Sequence, residues 1–374
     1  MIEQFQPITN KDVGLVKRIL EYHDEAVIAI GDATSSNTRG RIMTAGERIE
    51  VTDFALQAEG IDPKRYILIP VENTPENDQW VAEVMMLSPR FDTIYTRNSA
   101  NVVMFRDQVK LFGYSVVDLA EARKEIDYFQ KFSAMLKGGV FGYMAARNIQ
   151  KDIPESAMAK MVDLGIDQKV DVYYNMRKDS REPRYAKKAL FLGGLQPMHG
   201  VYLEGTGHIG AIKKGLAAKK QVIIAIGSAQ ESDTVNDPLT AGQRIEVVRY
   251  ALQANGVDAS QFYIIPIKDI HSNPGYPSKL VSMLPDFDTV IAGNDWTKRL
   301  FQREHSKYGL IPLDRRDNIS GTDVRNIVYN GLRKNERIDT IEQQLSGMVD
   351  LATLHILRDI GFYDTMKFLS SARE

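Results

Sequence analysis

Hydrophobic positions along this chain fall into short unbroken runs, separated by longer segments whose apolar residues recur every three to four positions. Val222-Ile-Ile-Ala-Ile226, Tyr263-Ile-Ile-Pro-Ile267 and Thr289-Val-Ile-Ala292 lack strict alternation, as parallel strands covered on both faces do. The pattern predicts strands over Gln221–Gly227, Phe262–Ile267 and Thr289–Ala292, a helix from about Thr240 to Ala254, and another around Ser278–Leu284. Thr240 or the preceding Pro238 supplies the helix-start signal, with Glu246 in an early turn. Amphipathic helix is expected over 153–174 and 338–371. Strands alternating with helices imply a doubly wound α/β domain that takes ligands at the carboxyl ends of its strands.

The pattern is written twice. Asp12 to Gly113 align without a gap onto His208 to Gly309, at an offset of 196. Thr44-Ala-Gly-Glu-Arg-Ile-Glu-Val51 matches Thr240-Ala-Gly-Gln-Arg-Ile-Glu-Val247, and Phe91-Asp-Thr93 matches Phe287-Asp-Thr289. Such a repeat governs the fold: two tandem Rossmann-like domains with parallel sheets, each ending in C-terminal helices. The first is expected over 1–180 and the second over 189–374, with a linker at 181–188. The surrounding run from Arg177 to Lys188 is dense in charge, carries Pro183 and has no apolar period, which reads as a solvated linker rather than a phosphate-attracting patch.

Composition narrows the function. At 374 residues there is room for two full cores. A net charge of −2 argues against a general nucleic-acid surface, which needs a basic excess. The chain has no cysteine, which excludes disulfides and thiolate metal sites. The opening lacks a basic and then apolar leader, and the apolar runs are of strand length, so a soluble, cytoplasmic protein is expected.

Candidate chemistry concentrates in Ala189-Leu-Phe-Leu-Gly-Gly-Leu-Gln-Pro-Met-His199 and the following Thr206-Gly-His-Ile209. A strand running into glycines before a helix start gathers free N–H groups and a positive dipole end, which suits a phosphate. Two histidines there can donate to phosphoryl oxygens as charge develops. Downstream, Asn318-Ile-Ser-Gly-Thr-Asp-Val-Arg325 offers a helix-opening turn with hydroxyls, and an arginine able to clamp a polyphosphate. Together these words resemble the (His/Thr)-x-Gly-His and Ser-x-Thr-x-x-Arg signatures of the nucleotidyltransferase superfamily, and in particular archaeal-type nicotinamide mononucleotide (NMN) adenylyltransferases.

That resemblance implies transfer of the adenylyl group of ATP to NMN, giving NAD and pyrophosphate, with Mg²⁺ accompanying ATP and no protein metal site. It implies catalytic roles for His208, His199 and Arg325. The ATP contacts would be Gly193, Gly207, Arg316, Ser320, Gly321 and Thr322, and the NMN contacts Asn273, Tyr276 and Asn294. Small molecules would be the partners, with neither nucleic acid nor membrane, in a homo-oligomer. Six more residues separate His199 from Gly207-His208 than the single residue of the family spacing would allow, and Gly194 stands where the family has arginine.

The first copy lacks these residues. Lys11 and Asp12 stand opposite Gly207 and His208, Glu3 and Gln4 opposite Gly193 and Gly194, and Phe132 opposite Arg325. A carboxylate at a phosphate-binding helix start repels its ligand, so the first copy is expected to be non-catalytic. Arg48 and Arg244 recur in both copies and so read as structural. Trp80, at the Asn-x-x-Trp spacing after Asn77, marks either core or a retained nucleotide pocket; Trp296, His271, His305 and His355 carry no motif. The residues alone leave open a nucleotidyltransferase with another acceptor, or a non-catalytic nucleotide sensor.

Overall fold

The structure is a computed structural model. Its described residues are 1–38, 41–74, 77–119, 152–166, 168–169, 187–198, 207–270, 275–293, 295–304, 308–313 and 320–371. Two compact units emerge. The first comprises Met1–Val84, Phe91–Arg184 and Lys279–Asp286; the second comprises Met85–Arg90, Tyr185–Ser278 and Phe287–Glu374. One of the divisions falls between Arg184 and Tyr185, and Lys188 opens a strand.

In chain order the first unit carries β1 (Ile2–Glu3), α1 (Asn10–Tyr22), β2 (Ala26–Ile30), α2 (Ala45–Ala58), β3 (Tyr66–Pro70), α3 (Asn77–Leu87), β4 (Thr93–Thr96), α4 (Ser99–Phe112), β5 (Ser115–Asp118) and α5 (Glu155–Asp163). The second half of the chain repeats the series. It has β6 (Lys188–Gly193), α6 (Gly207–Ala218), β7 (Gln221–Ile226), α7 (Ala241–Ala254), β8 (Phe262–Pro266), α8 (Tyr276–Met283), β9 (Thr289–Ala292), α9 (Asp295–Glu304) and β10 (Gly309–Pro312). Four helices follow: α10 (Gly321–Arg333), α11 (Ile338–Leu345), α12 (Leu351–Asp359) and α13 (Phe362–Ser371).

The second unit's sheet is parallel throughout, in the order β10-β9-β6-β7-β8. Its central strands are apolar on both faces because helices cover both: Val222 through Ile226 are fully buried. Helix α7 begins where the sequence signalled. Thr240 caps it, with the Gln243 side chain returning to the cap's own N–H at 3.0 Å. Thr44 and Glu47 build the same box at the start of α2.

Two details depart from a simple duplicate. In the first unit the sheet divides into β1-β2-β3 and a separate β4–β5 pair. Strand β6 reaches β9 through Ala189–Phe191, whereas β1 consists of Ile2–Glu3, whose pairing with β2 aligns it with Leu192–Gly193. The residues that would join β4 have no counterpart in β1. The gapless repeat also ends earlier than expected. Thr93 pairs with Ser115 but Thr289 pairs with Gly309, so the register slips by two residues before β5, and Ser115, not Gly113, corresponds to Gly309. An aromatic trio shows where. Phe91, Phe105 and Tyr114 pack as Phe287, Phe301 and Tyr308 do, so the loss lies between Phe301 and Tyr308. Here core packing holds the register while the loop changes length.

Candidate active site

The order of the second sheet reverses between β6 and β9, which opens a crevice at their carboxyl ends. Gly193 ends β6 there, and α6 begins with Gly207 at a φ of 64°. That backbone region is strained for any residue bearing a Cβ, so glycine suits the entry to this helix. His208 follows in the first turn, half-buried, its ring edge-on to Phe191 at 5.8 Å between centroids. Phe191 lies in β6, so the strand holds the imidazole against the helix start.

Helix α10 brings the second signature to the same place. A Cβ on Gly321 would stand 3.1 Å from the Gln196 carbonyl oxygen and 3.4 Å from that of Pro197, so only glycine lets α10 approach so closely. Arg325, one turn on, donates to the Gln196 carbonyl and, at 3.0 Å, to the Thr322 hydroxyl. Burial pulls its guanidinium below the ordinary arginine value, opposed by the nearby Asp237 carboxylate. Ser320 is the cap: its hydroxyl donates to Asp323 at 2.7 Å and accepts from the Asp323 N–H at 3.3 Å. The first N–H groups of α10, on Gly321 and Thr322, have no acceptor within the helix and present the positive end of its dipole. The structure places Gly193 at the end of β6 and Gly207 and His208 at the start of α6, and it sets Gly321 and Arg325, with Ser320 and Thr322 in the same turn, against the Gln196-Pro197 backbone. His199, Arg316, Asn273 and Asn294 lie outside the described residues.

Two further features sit at the ends of β7 and β8. Arg244 is fully buried and donates to the carbonyls of Gly194 (2.9 Å), Gly227 (2.8 Å), Ser228 (3.0 Å) and Glu231 (3.3 Å). Burial pulls its guanidinium down to about 10. Arg48 does the same for Gln4, Gly31 and Asp32 in the first unit, so both arginines brace the loops after the strands. Tyr276 is buried at the start of α8; its hydroxyl lies 3.8 Å from where a Cβ on Gly227 would stand. In the first unit Trp80 occupies the matching place, buried against Phe105 at 5.6 Å.

Sequence reasoning gave Gln196 no role. Its side chain makes two bonds to the backbone of Leu239 (2.9 and 3.1 Å) while its carbonyl receives Arg325. The recurrence of Gln-Pro at Gln6 and Gln196 was the available signal, and Gln6 reaches Met43 in the same way at 3.3 Å. Arg97 was missed as well. It follows β4 at the position of Gly293, and it spans Glu3 (2.9 Å), at the place of Gly193, and Asp12, at the place of His208. Thr9 holds the other Asp12 oxygen through its N–H (2.8 Å) and hydroxyl (2.7 Å). Where the second unit has two glycines and a histidine, the first has an arginine locked between two carboxylates.

The sequence pattern of the Cytidylyltransferase-like family matches residues 205–327. A nicotinamide-nucleotide adenylyltransferase of Thermococcus kodakarensis is 35% identical over 145 residues, which is 39% of this chain and 74% of that protein. The chain belongs to the nicotinamide-nucleotide adenylyltransferase family. Another nicotinamide-nucleotide adenylyltransferase, from Ignicoccus hospitalis, is 32% identical over 183 residues, covering 98% of its own length and 49% of this chain. A third, from Pyrobaculum aerophilum, is 36% identical over 145 residues, 78% of its length and 39% of this chain. Family members of that span are therefore about half as long as this chain. Among the described residues no helix is long and apolar enough to cross a membrane.

Proposed function

We propose that this protein transfers the adenylyl group of ATP to nicotinamide mononucleotide, releasing pyrophosphate and forming NAD, and that the second unit carries the chemistry. The observation that supports this most is the tie between α10 and the chain just after β6: Gly321 and Arg325 hold the N-terminus of α10 on the Gln196-Pro197 backbone, past the end of the strand whose Phe191 packs against His208.

A phosphate oxygen of NMN attacks the α-phosphorus of ATP, and the bond from that phosphorus to the bridging oxygen breaks as pyrophosphate leaves. No covalent enzyme intermediate is needed, so positioning and charge stabilisation do the work. His208 donates to phosphoryl oxygens as charge grows. The open N–H groups of α10 and the Arg325 fork face the leaving phosphates. Mg²⁺ would enter with ATP as part of the substrate and would offset the negative charge of its phosphates. His199 and Arg316 act on the same phosphates, and Asn273, Tyr276 and Asn294 on the acceptor.

Residues 1–180 form a non-catalytic copy of the same domain, joined through 181–188 to the catalytic 189–374. The protein works in the cytoplasm as a homo-oligomer on small-molecule substrates. The test is pyrophosphate release and NAD formation from ATP, NMN and Mg²⁺ by wild type and His208→Ala. Loss of one such donor lowers kcat by roughly 10²–10³. Equal rates from the two proteins would remove His208 from the site, and no NAD from wild type would overturn the reaction.

A further inference from the structure

Strand β8 leads into Asp269, an exposed carboxylate at the ligand end of the sheet. It is held rigidly. The Ser228 hydroxyl donates to one oxygen at 2.6 Å and the Ser228 N–H to the other at 3.2 Å, while its own N–H donates to Gln230 at 2.9 Å. Ser228 adopts a φ of 48° to do this, a conformation few side chains accept. Among the described residues no cation comes within ion-pair distance of Asp269. Arg244 lies in its vicinity, but spends its donors on backbone carbonyls. Tyr276 stands close enough that the carboxylate helps push its hydroxyl up, after the larger effect of burial.

A fixed negative charge is an odd choice beside a site built for phosphates, since it repels what the neighbouring helix ends attract. The first unit handles the same place differently. Asn73 replaces Asp269, the carboxylate moves to Asp32 in place of Ser228, and Arg41 neutralises it. Among the described residues Asp269 has no ion-pair partner of the kind that Arg41 gives Asp32. The part of the acceptor that can use it is the ring: the nicotinamide of NMN is a pyridinium cation carrying a carboxamide that donates hydrogen bonds. The corresponding acid carries a carboxylate on the same ring.

Resting on the adenylyltransferase reading above, we infer that Asp269, clamped by Ser228, selects the amide form of the acceptor and rejects the acid form. Its charge favours the cationic ring and accepts from the carboxamide, while a carboxylate there meets like charge, which costs enough to exclude a partner. Ser228 is the positioning residue.

The experiment compares kcat/KM for NMN and for nicotinic acid mononucleotide, each with MgATP, in wild type, Asp269→Asn and Ser228→Ala. Asn keeps an acceptor for Ser228 but removes the charge. The wild type is expected to favour NMN at least about a hundredfold, and Asp269→Asn to cut that ratio by about tenfold or more, mostly through a lower KM for the acid. Ser228→Ala, which leaves the charge but frees it to swing, is expected to cut the ratio by about three- to fivefold. An unchanged ratio in a folded Asp269→Asn protein, or in Ser228→Ala should Asp269→Asn not fold, overturns the inference alone. No dinucleotide from either acceptor overturns the adenylyltransferase reading and this inference with it.

Discussion

Arg97 donates to Asp12 at the place where the second unit presents Gly293 and His208, and its other arm reaches Glu3 at 2.9 Å. All three side chains are largely buried, so the guanidinium is the counter-charge for two carboxylates that would otherwise face each other. Burial pushes the Glu3 carboxyl up, and Arg97 opposes that effect. Removing one member of a buried ionic group costs roughly 3–5 kcal/mol, because the remaining charges stay buried and unpaired.

Arg97→Ala is therefore expected to lower the stability of the first unit markedly at neutral pH. The sign with pH follows. A carboxyl whose folded value lies above its unfolded one loses stability as pH rises through the folded value. Without Arg97 that loss grows, so the penalty of Arg97→Ala shrinks on going from pH 7 to about pH 4.5, where Glu3 takes up a proton. Thermal unfolding of both proteins at the two pH values measures it. A penalty independent of pH would show that Arg97 acts through packing alone.

With the proposed catalytic site in the second unit, the same triad is expected to leave one ATP site per chain. A subsite filled by its own arginine and ringed by carboxylates has no room and the wrong charge for a triphosphate. Calorimetric titration with ATP in the absence of acceptor is expected to give one site per chain, abolished by substitutions in α10 and unaffected by Arg97→Ala. Two sites of comparable affinity would contradict this.

Arg48 and Arg244 make a matched pair for a stability test. Each is fully buried and satisfies carbonyls at the ends of neighbouring strands. Replacement by alanine strands several buried acceptors, at about 1–3 kcal/mol apiece where no water enters. Arg48→Ala and Arg244→Ala should both lower the unfolding midpoint by several degrees. Only Arg244→Ala should also impair NAD formation, since only its loops border the proposed catalytic site.

Much of this was legible in the chain. Strand Thr289–Ala292 and helix Ala241–Ala254 fall where unbroken apolar runs and the Thr240 start signal put them. Their burial on both faces leaves no other use for such sequences. The less legible parts depend on contacts between distant positions. Tyr114 and Tyr308 occupy equivalent places although an ungapped repeat does not align them, because the aromatic core tolerates a shortened loop but not a lost ring. Arg97 carries no motif; its meaning appears only when the places of Gly193, His208 and Gly293 are compared at once. In the sequence Glu3 and Asp12 signal lost function alone, and the cation that accommodates them shows only in the fold.

Gly321 offers a test of close approach. An added methyl would sit 3.1 Å from the Gln196 oxygen, tight enough that α10 must retreat by a few tenths of an ångström. The fold can absorb that shift; a phosphate held by the helix N–H groups cannot do so as easily, since misplaced groups lose much of their effect. Gly321→Ala is expected to raise the KM for ATP several-fold with little change in the unfolding midpoint. A large stability loss with normal kinetics in the surviving fraction would assign Gly321 to packing.

Arg325 separates charge from geometry. Its fork is aimed by the Gln196 carbonyl and the Thr322 hydroxyl, so the guanidinium is oriented before any ligand arrives. Lysine retains the charge but cannot span both partners or meet a phosphate with two parallel donors. Arg325→Ala is expected to lower kcat/KM by roughly 10²–10³, with Arg325→Lys recovering only part of that. Pre-steady-state measurement of pyrophosphate release should place the loss in the chemical step. If Arg325→Lys reacts as fast as wild type, charge alone suffices and the aiming contacts have no catalytic consequence. If Arg325→Ala does too, the pyrophosphate leaves without help from α10, and the tie between that helix and the Gln196-Pro197 backbone serves the fold only.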